Sequence, residues 1–260
     1  MKLTHYVISP PLQPFVKLIC TMDCEGDTDT CHITVLPDAC VELFVNYSTT
    51  PLAIIDNEIY HQSIVSARMT RPTSVQMRKG AGCIAVCFYP GMAHRFFNVA
   101  MHELTDKNTS LNDLWKGLTP ALEERLANTP GNNERVALLQ HYLLQQCNGE
   151  NEDVVLAYCL SQARATKDFL PVSQLVNATG ISQRHLARKF QQYVGVSPKE
   201  YLSVTRFVRA LAQLKRYPEL SLTQIAYESG YYDQAHFNHD FKNYTGLAPG
   251  DVVRAAHVLY

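Results

Sequence analysis

Between residues 172 and 254 one pattern is written twice. The stretch LVNATGISQRHLARKFQQYVGVSP, starting at Leu175, lines up with IAYESGYYDQAHFNHDFKNYTGLAP, starting at Ile225. Gly180 matches Gly230 at an offset of 50. After one extra turn residue the offset becomes 51, which pairs Leu186 with Phe237, Phe190 with Phe241, Gly195 with Gly246 and Pro198 with Pro249. Two copies are too few for a solenoid, which needs at least three units to bury its faces. The pattern is one supersecondary unit used twice.

Each copy reads as helix, tight turn, helix. In the first, Val172, Leu175 and Val176 form an apolar stripe, Gly180 supplies a residue able to take positive φ, and Ser182 caps the next helix. In the second, Leu222, Ile225 and Ala226 form the stripe, Gly230 turns and Asp233 caps. The second helix of each copy carries an i, i+4 apolar pair, Leu186 with Phe190 and Phe237 with Phe241, which marks its buried side. Between the copies, Pro198 sits at a helix start, and Tyr201, Val204, Val208 and Leu211 form one apolar face of a connecting helix to about Arg216.

Fixing the inward side fixes the outward one. Arg184, Ala187, Arg188 and Gln191 fall opposite Leu186 and Phe190, with Gln183 at the head of the same helix. Gln234, Ala235, Asn238 and Lys242 hold the matching positions in the second copy, with His239 at the edge. Arginine bonds two acceptors of guanine, glutamine and asparagine do the same with adenine, and alanine leaves room for a thymine methyl. Lys189, Lys199 and Lys242 are candidate phosphate holders. One connecting helix is expected to place the two recognition helices about 34 Å apart, one turn of DNA.

On these residues, the region from 155 to 254 resembles the C-terminal DNA-binding domain of the AraC/XylS family of bacterial transcription regulators. The strongest stretch is GYYDQAHFNHDFKNYTGLAP, starting at Gly230. Two departures stand out: His239 occupies a position where the family usually has arginine, and Val252-Val253 replace a usual Tyr-Arg pair. The resemblance implies double-stranded promoter DNA as partner, with RNA polymerase and a small-molecule effector as further candidates and a monomer or homodimer as the assembly. Leu36 to Leu43, Phe88-Tyr89-Pro90-Gly91, Glu103-Leu104 and Leu111 to Trp115 resemble a cupin-like sensor region attached to some members of that family. That likeness implies a sensory or dimerisation role and identifies no ligand.

The rest of the chain reads differently from the repeat. Short apolar runs at His32–Leu36, Val41–Tyr47, Ala53–Ile55 and Cys83–Tyr89, separated by turn residues, are expected strands. Helical spacing begins after residue 101: Ser110 is set to cap a helix carrying Leu114 and Leu118, and Pro120–Ala127 and Glu134–Gln146 follow. The polar stretch Gln146 to Glu150 marks a boundary, with Glu152-Asp153 heading a helix through Ala165. The expected architecture is α+β with two domains. Residues 1–150 form a β-rich, cupin-like domain with trailing helices, and 151–260 an all-α domain with two helix-turn-helix units joined by a linker helix. Charge follows this division: 12 Lys/Arg against 9 Asp/Glu in the second part, 11 against 15 in the first. The basic end is the one that suits a polyanion.

No run approaches the roughly 18–20 apolar residues of a membrane helix, and the first residues lack a signal-peptide core. We therefore expect a cytoplasmic protein without membrane contact, whose 8 cysteines are thiols rather than a disulfide framework. Cys20, Cys24, Cys31 and His32 form a possible metal or oxidation-sensing set, but their spacing matches no usual zinc pattern. Gly80-Ala81-Gly82-Cys83-Ile84-Ala85 fits a loose dinucleotide-binding pattern yet opens a strand where that motif requires a helix. Cys83 and Cys87 share one strand face about 13 Å apart, and His102-Glu103 lacks the second histidine of a zinc-protease motif. His185, His236 and the tyrosines at 227, 231 and 232 are read as packing residues. No catalytic residue, metal ligand or cofactor is assigned, and an enzyme is not expected. Two other readings remain: a metal- or redox-dependent activity in the N-terminal domain, and a protein-binding antagonist that has lost DNA binding.

Overall fold

The computed structural model describes residues 1–25, 30–67, 69–149, 153–166, 169–254 and 258–259. Glu150 and Glu152, placed by sequence at the boundary and at the head of the next helix, lie outside the described residues. The N-terminal region is two β-sheets. One has the order β1 (Lys2–His5), β2 (Val16–Asp23), β9 (Gly82–Phe88), β4 (Glu42–Asn46), β7 (Ile64–Ser66) and β10 (Asn108–Ser110). The other has the order β11 (Val258–Leu259), β3 (Thr30–Val35), β8 (Thr73–Arg78), β5 (Ala53–Ile55) and β6 (Glu58–Tyr60). Pairing is antiparallel except for β11, which runs parallel to β3 with Val258 opposite Thr34.

β9 explains why Cys83–Phe88 reads as an unbroken apolar run. All seven of its residues are buried, because the larger sheet is covered on both faces. Cys83 and Ala85 point between the sheets, into a cluster with Cys20, Met22, Ile33, Ile55, Val75 and Met77. Ile84, Val86 and Phe88 point the other way, where they meet Leu43 and Val45 of β4 and a helical layer.

That layer starts with α1 (Leu111–Leu114), whose N-cap Ser110 accepts from the Asn112 amide as expected. α2 (Thr119–Ala127) and α3 (Asn132–Gln146) follow. Leu118 belongs not to α1 but to the N-cap position of α2, because the chain turns at Trp115 (φ −109°, ψ 60°). The second, all-helical region comprises α4 (Val154–Ala165), α5 (Val172–Thr179), α6 (Gln183–Tyr193), α7 (Pro198–Arg216), α8 (Leu222–Glu228), α9 (Gln234–Thr245) and α10 (Pro249–Val252). A β-rich N-terminal part and a helical C-terminal part are thus both present. No described helix is long and apolar enough to cross a membrane.

The two parts share a core. Phe88, Phe97, Met101 and Trp115 lie in one apolar cluster with Leu156, Leu160, Leu175, Leu186, Phe190 and Val204. Two glycines permit the close approach. A Cβ on Gly91, after β9, would stand 2.7 Å from Leu160 Cδ1 of α4. A Cβ on Gly195, between α6 and α7, would stand 3.1 Å from the Met101 carbonyl oxygen. Thr105 adds a hydrogen bond across this junction, its hydroxyl donating to the Gly195 carbonyl at 2.7 Å. Leu36, just after β3, enters a separate cluster made otherwise of residues from α7 to α10, such as Phe207, Leu211, Phe237 and Phe241.

Candidate nucleic-acid interface

Both helix-turn-helix units are built by local hydrogen bonds that the sequence encodes. Gly180 ends α5 at φ +69°, and Ser182 then accepts from the His185 amide to start α6. Asp233 accepts from the His236 amide to start α9, which ends on Gly246 at φ +74°. α7 begins with Pro198 after a reciprocal cap between Ser197 and Glu200, and α8 has the same device in Ser221 and Gln224. Each such cap satisfies amides that would otherwise be orphaned and contributes about 1 kcal/mol.

Leu186, Phe190, Phe237 and Phe241 are all fully buried. The opposite faces emerge accordingly. On α6, Gln183, Arg184 and Arg188 are exposed, and Ala187 and Gln191 half-buried. On α9, Ala235, Asn238, His239 and Lys242 are exposed, and Gln234 is half-buried. Gln234 is held in place: the Thr223 hydroxyl of α8 donates to its side-chain oxygen at 2.7 Å, leaving the amide NH2 to donate elsewhere. The Asn243 amide lies 3.2 Å from the His239 ring.

Two expectations are corrected, and one set that the spacing already disfavoured is settled. Lys189 is not a free phosphate holder: it is ion-paired with Asp153, the N-cap of α4, and both side chains are about four-fifths buried. Burial alone would raise the Asp153 carboxyl, but the hydrogen bond from Lys189 and those from backbone amides outweigh it and hold it below the usual carboxylate range. The lysine faces inward because α4 crosses beside α6, a long-range arrangement that periodicity does not encode. Lys199 and Lys242 are exposed. The tyrosines divide: Tyr231 is buried as read, whereas Tyr227, on α8, and Tyr232, in the turn before α9, are 59% and 85% exposed. The set Cys20, Cys24, Cys31 and His32 does not converge. Among the described residues, the group whose ligand atoms come together is Asp38, Cys40 and Cys87.

Sequence reasoning also missed the brace behind α9. Arg206 of α7 donates to Asp240 Oδ2 at 3.0 Å and lies 3.2 Å from His236 Nε2, with its guanidinium 4.5 Å from the centre of the Tyr231 ring. Arg206 and Asp240 are each 11% exposed at the side chain. Burial pushes the Tyr231 phenol far above its ordinary value, so it stays neutral. The only sequence signal for this network is that an aspartate stands at a position between Phe237 and Phe241 that helical geometry turns inward.

Residues 175–255 match a family model described as a helix-turn-helix domain, and residues 4–110 match one described as a domain of unknown function (DUF6597). An uncharacterized HTH-type transcriptional regulator of Haemophilus influenzae is 38% identical over 78 residues, 30% of this chain and 26% of that one. The HTH-type transcriptional activator RhaS of Escherichia coli is 38% identical over 72 residues, 28% of this chain and 26% of RhaS. The C-terminal region is an AraC-type helix-turn-helix domain. The chain spans about a quarter of the length of these two relatives. Among solved structures, ToxT from Vibrio cholerae covers 98% of both chains at 12% identity with a TM-score of 0.49. Within the AraC-type domain, α6 and α9 are the second helices of the two units and carry the faces described above.

Proposed function

We propose that this chain is a sequence-specific transcriptional regulator that grips double-stranded DNA with α6 and α9 and takes its input through the N-terminal β-rich region. One observation carries the reading: in both units the polar and basic side chains stand exposed on the helix face opposite a fully buried pair. In this reading Gln183, Arg184, Ala187, Arg188 and Gln191 face one major-groove segment. Gln234, Ala235, Asn238 and His239 face the next, and Lys199 and Lys242 meet phosphates. The Arg206–Asp240 brace supports it, since it fixes the roll of α9 against α7 and so aims Asn238 outward. The shared apolar cluster supports the second half of the proposal, because a change in the β-rich part has packed side chains through which to reach α6.

The test begins with genome-wide mapping of bound sites and continues with anisotropy titration of an enriched fragment using the full chain. Arg188→Ala should weaken specific binding by about 1–3 kcal/mol, while Lys242→Ala should weaken all sequences alike and reduce the salt slope by about one. Unchanged affinity for Arg188→Ala removes that residue from the contact set. An absence of enriched sites removes the reading altogether.

A further inference from the structure

Between the two sheets lies a cavity of about 340 Å³ whose wall includes Lys17, Cys20, Asp38, Cys40, Glu42 and Cys87. Two thiols and a carboxylate converge there. The ligand atoms of Asp38, Cys40 and Cys87 all lie within 4.8 Å of one another. Cys40 and Cys87 are 3% and 7% exposed. Asp38 and Cys40 flank Ala39, which takes φ +60°, a left-handed conformation costly for alanine. The Cys40 amide donates to Asp38 Oδ1 at 2.9 Å. Asp38 Oδ2 instead takes a hydrogen bond from Lys17 Nζ at 3.2 Å, and the same ammonium lies 3.7 Å from Cys40 Sγ. Cys87 comes from the neighbouring strand β9, in register with Glu42.

Buried cysteines usually serve as small hydrophobes, and Cys20 and Cys83 fit that role. It does not account for a carboxylate and an ammonium drawn against Cys40. The Lys17 ammonium already standing against Asp38 and Cys40 shows that this side of the cavity accommodates a cation. Two sulfurs select against Mg2+ and Ca2+, and suit Zn2+ and its soft relatives, with metal–sulfur bonds near 2.3 Å.

We propose that Asp38, Cys40 and Cys87 form a binding site for a thiophilic divalent cation of the Zn2+ kind, which displaces the Lys17 ammonium and keeps a fourth coordination position open to the cavity. Binding releases the two thiol protons to solvent and leaves the metal's oxidation state unchanged. The site is placed to be felt by the helical domain. Leu36, two residues before Asp38, is 2% exposed within the cluster of Phe207, Leu211, Phe237 and Phe241. Drawing Asp38 and Cys40 onto a metal shifts the turn that anchors Leu36. This consequence for DNA rests on the function proposed above; the site itself does not.

The test is titration of the reduced full-length protein with Co2+, followed by near-ultraviolet thiolate-to-cobalt charge-transfer absorption. The band should saturate at one equivalent, vanish in Cys40→Ser and in Cys87→Ser, and persist in Cys20→Ser. Lys17→Gln should bind several-fold more tightly, because the competing cation is gone, and a folding defect does not mimic that gain. No thiolate band in the parent protein, or a band that survives both Cys40→Ser and Cys87→Ser, overturns the site. Weaker binding by a folded Lys17→Gln overturns the displacement. Since the readout contains no DNA, failure of the site is distinct from failure of the DNA-binding reading.

Discussion

Gly195 and Gly246 occupy the same position in the two copies of the repeat, which makes them a matched pair for measuring how firmly the helical domain is docked. Both have positive φ, +102° and +74°, so alanine at either meets the left-handed penalty of about 1–2 kcal/mol, partly offset by a less flexible unfolded chain. Their surroundings differ. A Cβ on Gly246 would meet nothing within 4 Å, whereas one on Gly195 would stand 3.0 Å from Thr105 Oγ1 and 3.1 Å and 3.3 Å from the Met101 carbonyl oxygen and carbon. The Met101 atoms are backbone in a turn whose side chain is fully buried, and Thr105 cannot swing aside without losing its bond to the Gly195 carbonyl. Overpacking of this kind costs about 1–3 kcal/mol more. Gly246→Ala should therefore lose about 1 kcal/mol and Gly195→Ala about 2–4 kcal/mol. Urea denaturation followed by circular dichroism and by emission of the single tryptophan, Trp115, measures both. Equal losses in the two variants refute the claim that the junction at Met101 and Thr105 is tightly packed.

The brace behind α9 makes a second prediction. Asp240→Ala leaves the Arg206 guanidinium buried without its carboxylate and should cost about 3–5 kcal/mol, read as a lowered thermal midpoint. The Arg206→Met, Asp240→Leu double variant should recover most of that loss; no recovery would show that the charges matter for more than their mutual compensation. Leu36→Ala empties a site in the second unit's core and should cost about 2–5 kcal/mol, with earlier limited proteolysis around α8 and α9 as its signature.

The strands were legible only in part. Val41–Tyr47, Ala53–Ile55 and Cys83–Tyr89 correspond to β4, β5 and β9, because alternation or continuous apolarity marks a strand packed on one or both faces. β2 was not read, although it pairs with β9 through most of its length and shows a register shift between Val16 and Leu18. That irregularity breaks the simple alternation a sequence reader relies on. β6, β7 and β10 are three residues each, too short to carry a period. The candidate DNA face was legible because it depends on one helix at a time: once Leu186 and Phe190 are inside, Arg184 and Arg188 are outside. The group formed by Asp38, Cys40 and Cys87 was not, since 47 residues separate its two cysteines and strand pairing alone unites them.

What the amino-acid order determined by itself is the repeat, the caps at Ser182 and Asp233, the left-handed turns at Gly180 and Gly230, and the inward and outward sides of α6 and α9. All of these are set by hydrogen bonds and side-chain periods that span a few residues. Tertiary structure alone decided that Lys189 turns to Asp153, that Leu36 crosses into the other unit's core, that Gly91 and Gly195 sit under foreign side chains and backbone, and that two thiols meet a carboxylate beside Lys17. Each of those contacts joins segments far apart in the chain, whose meeting follows from how whole sheets and helices pack and leaves no periodic trace in either segment.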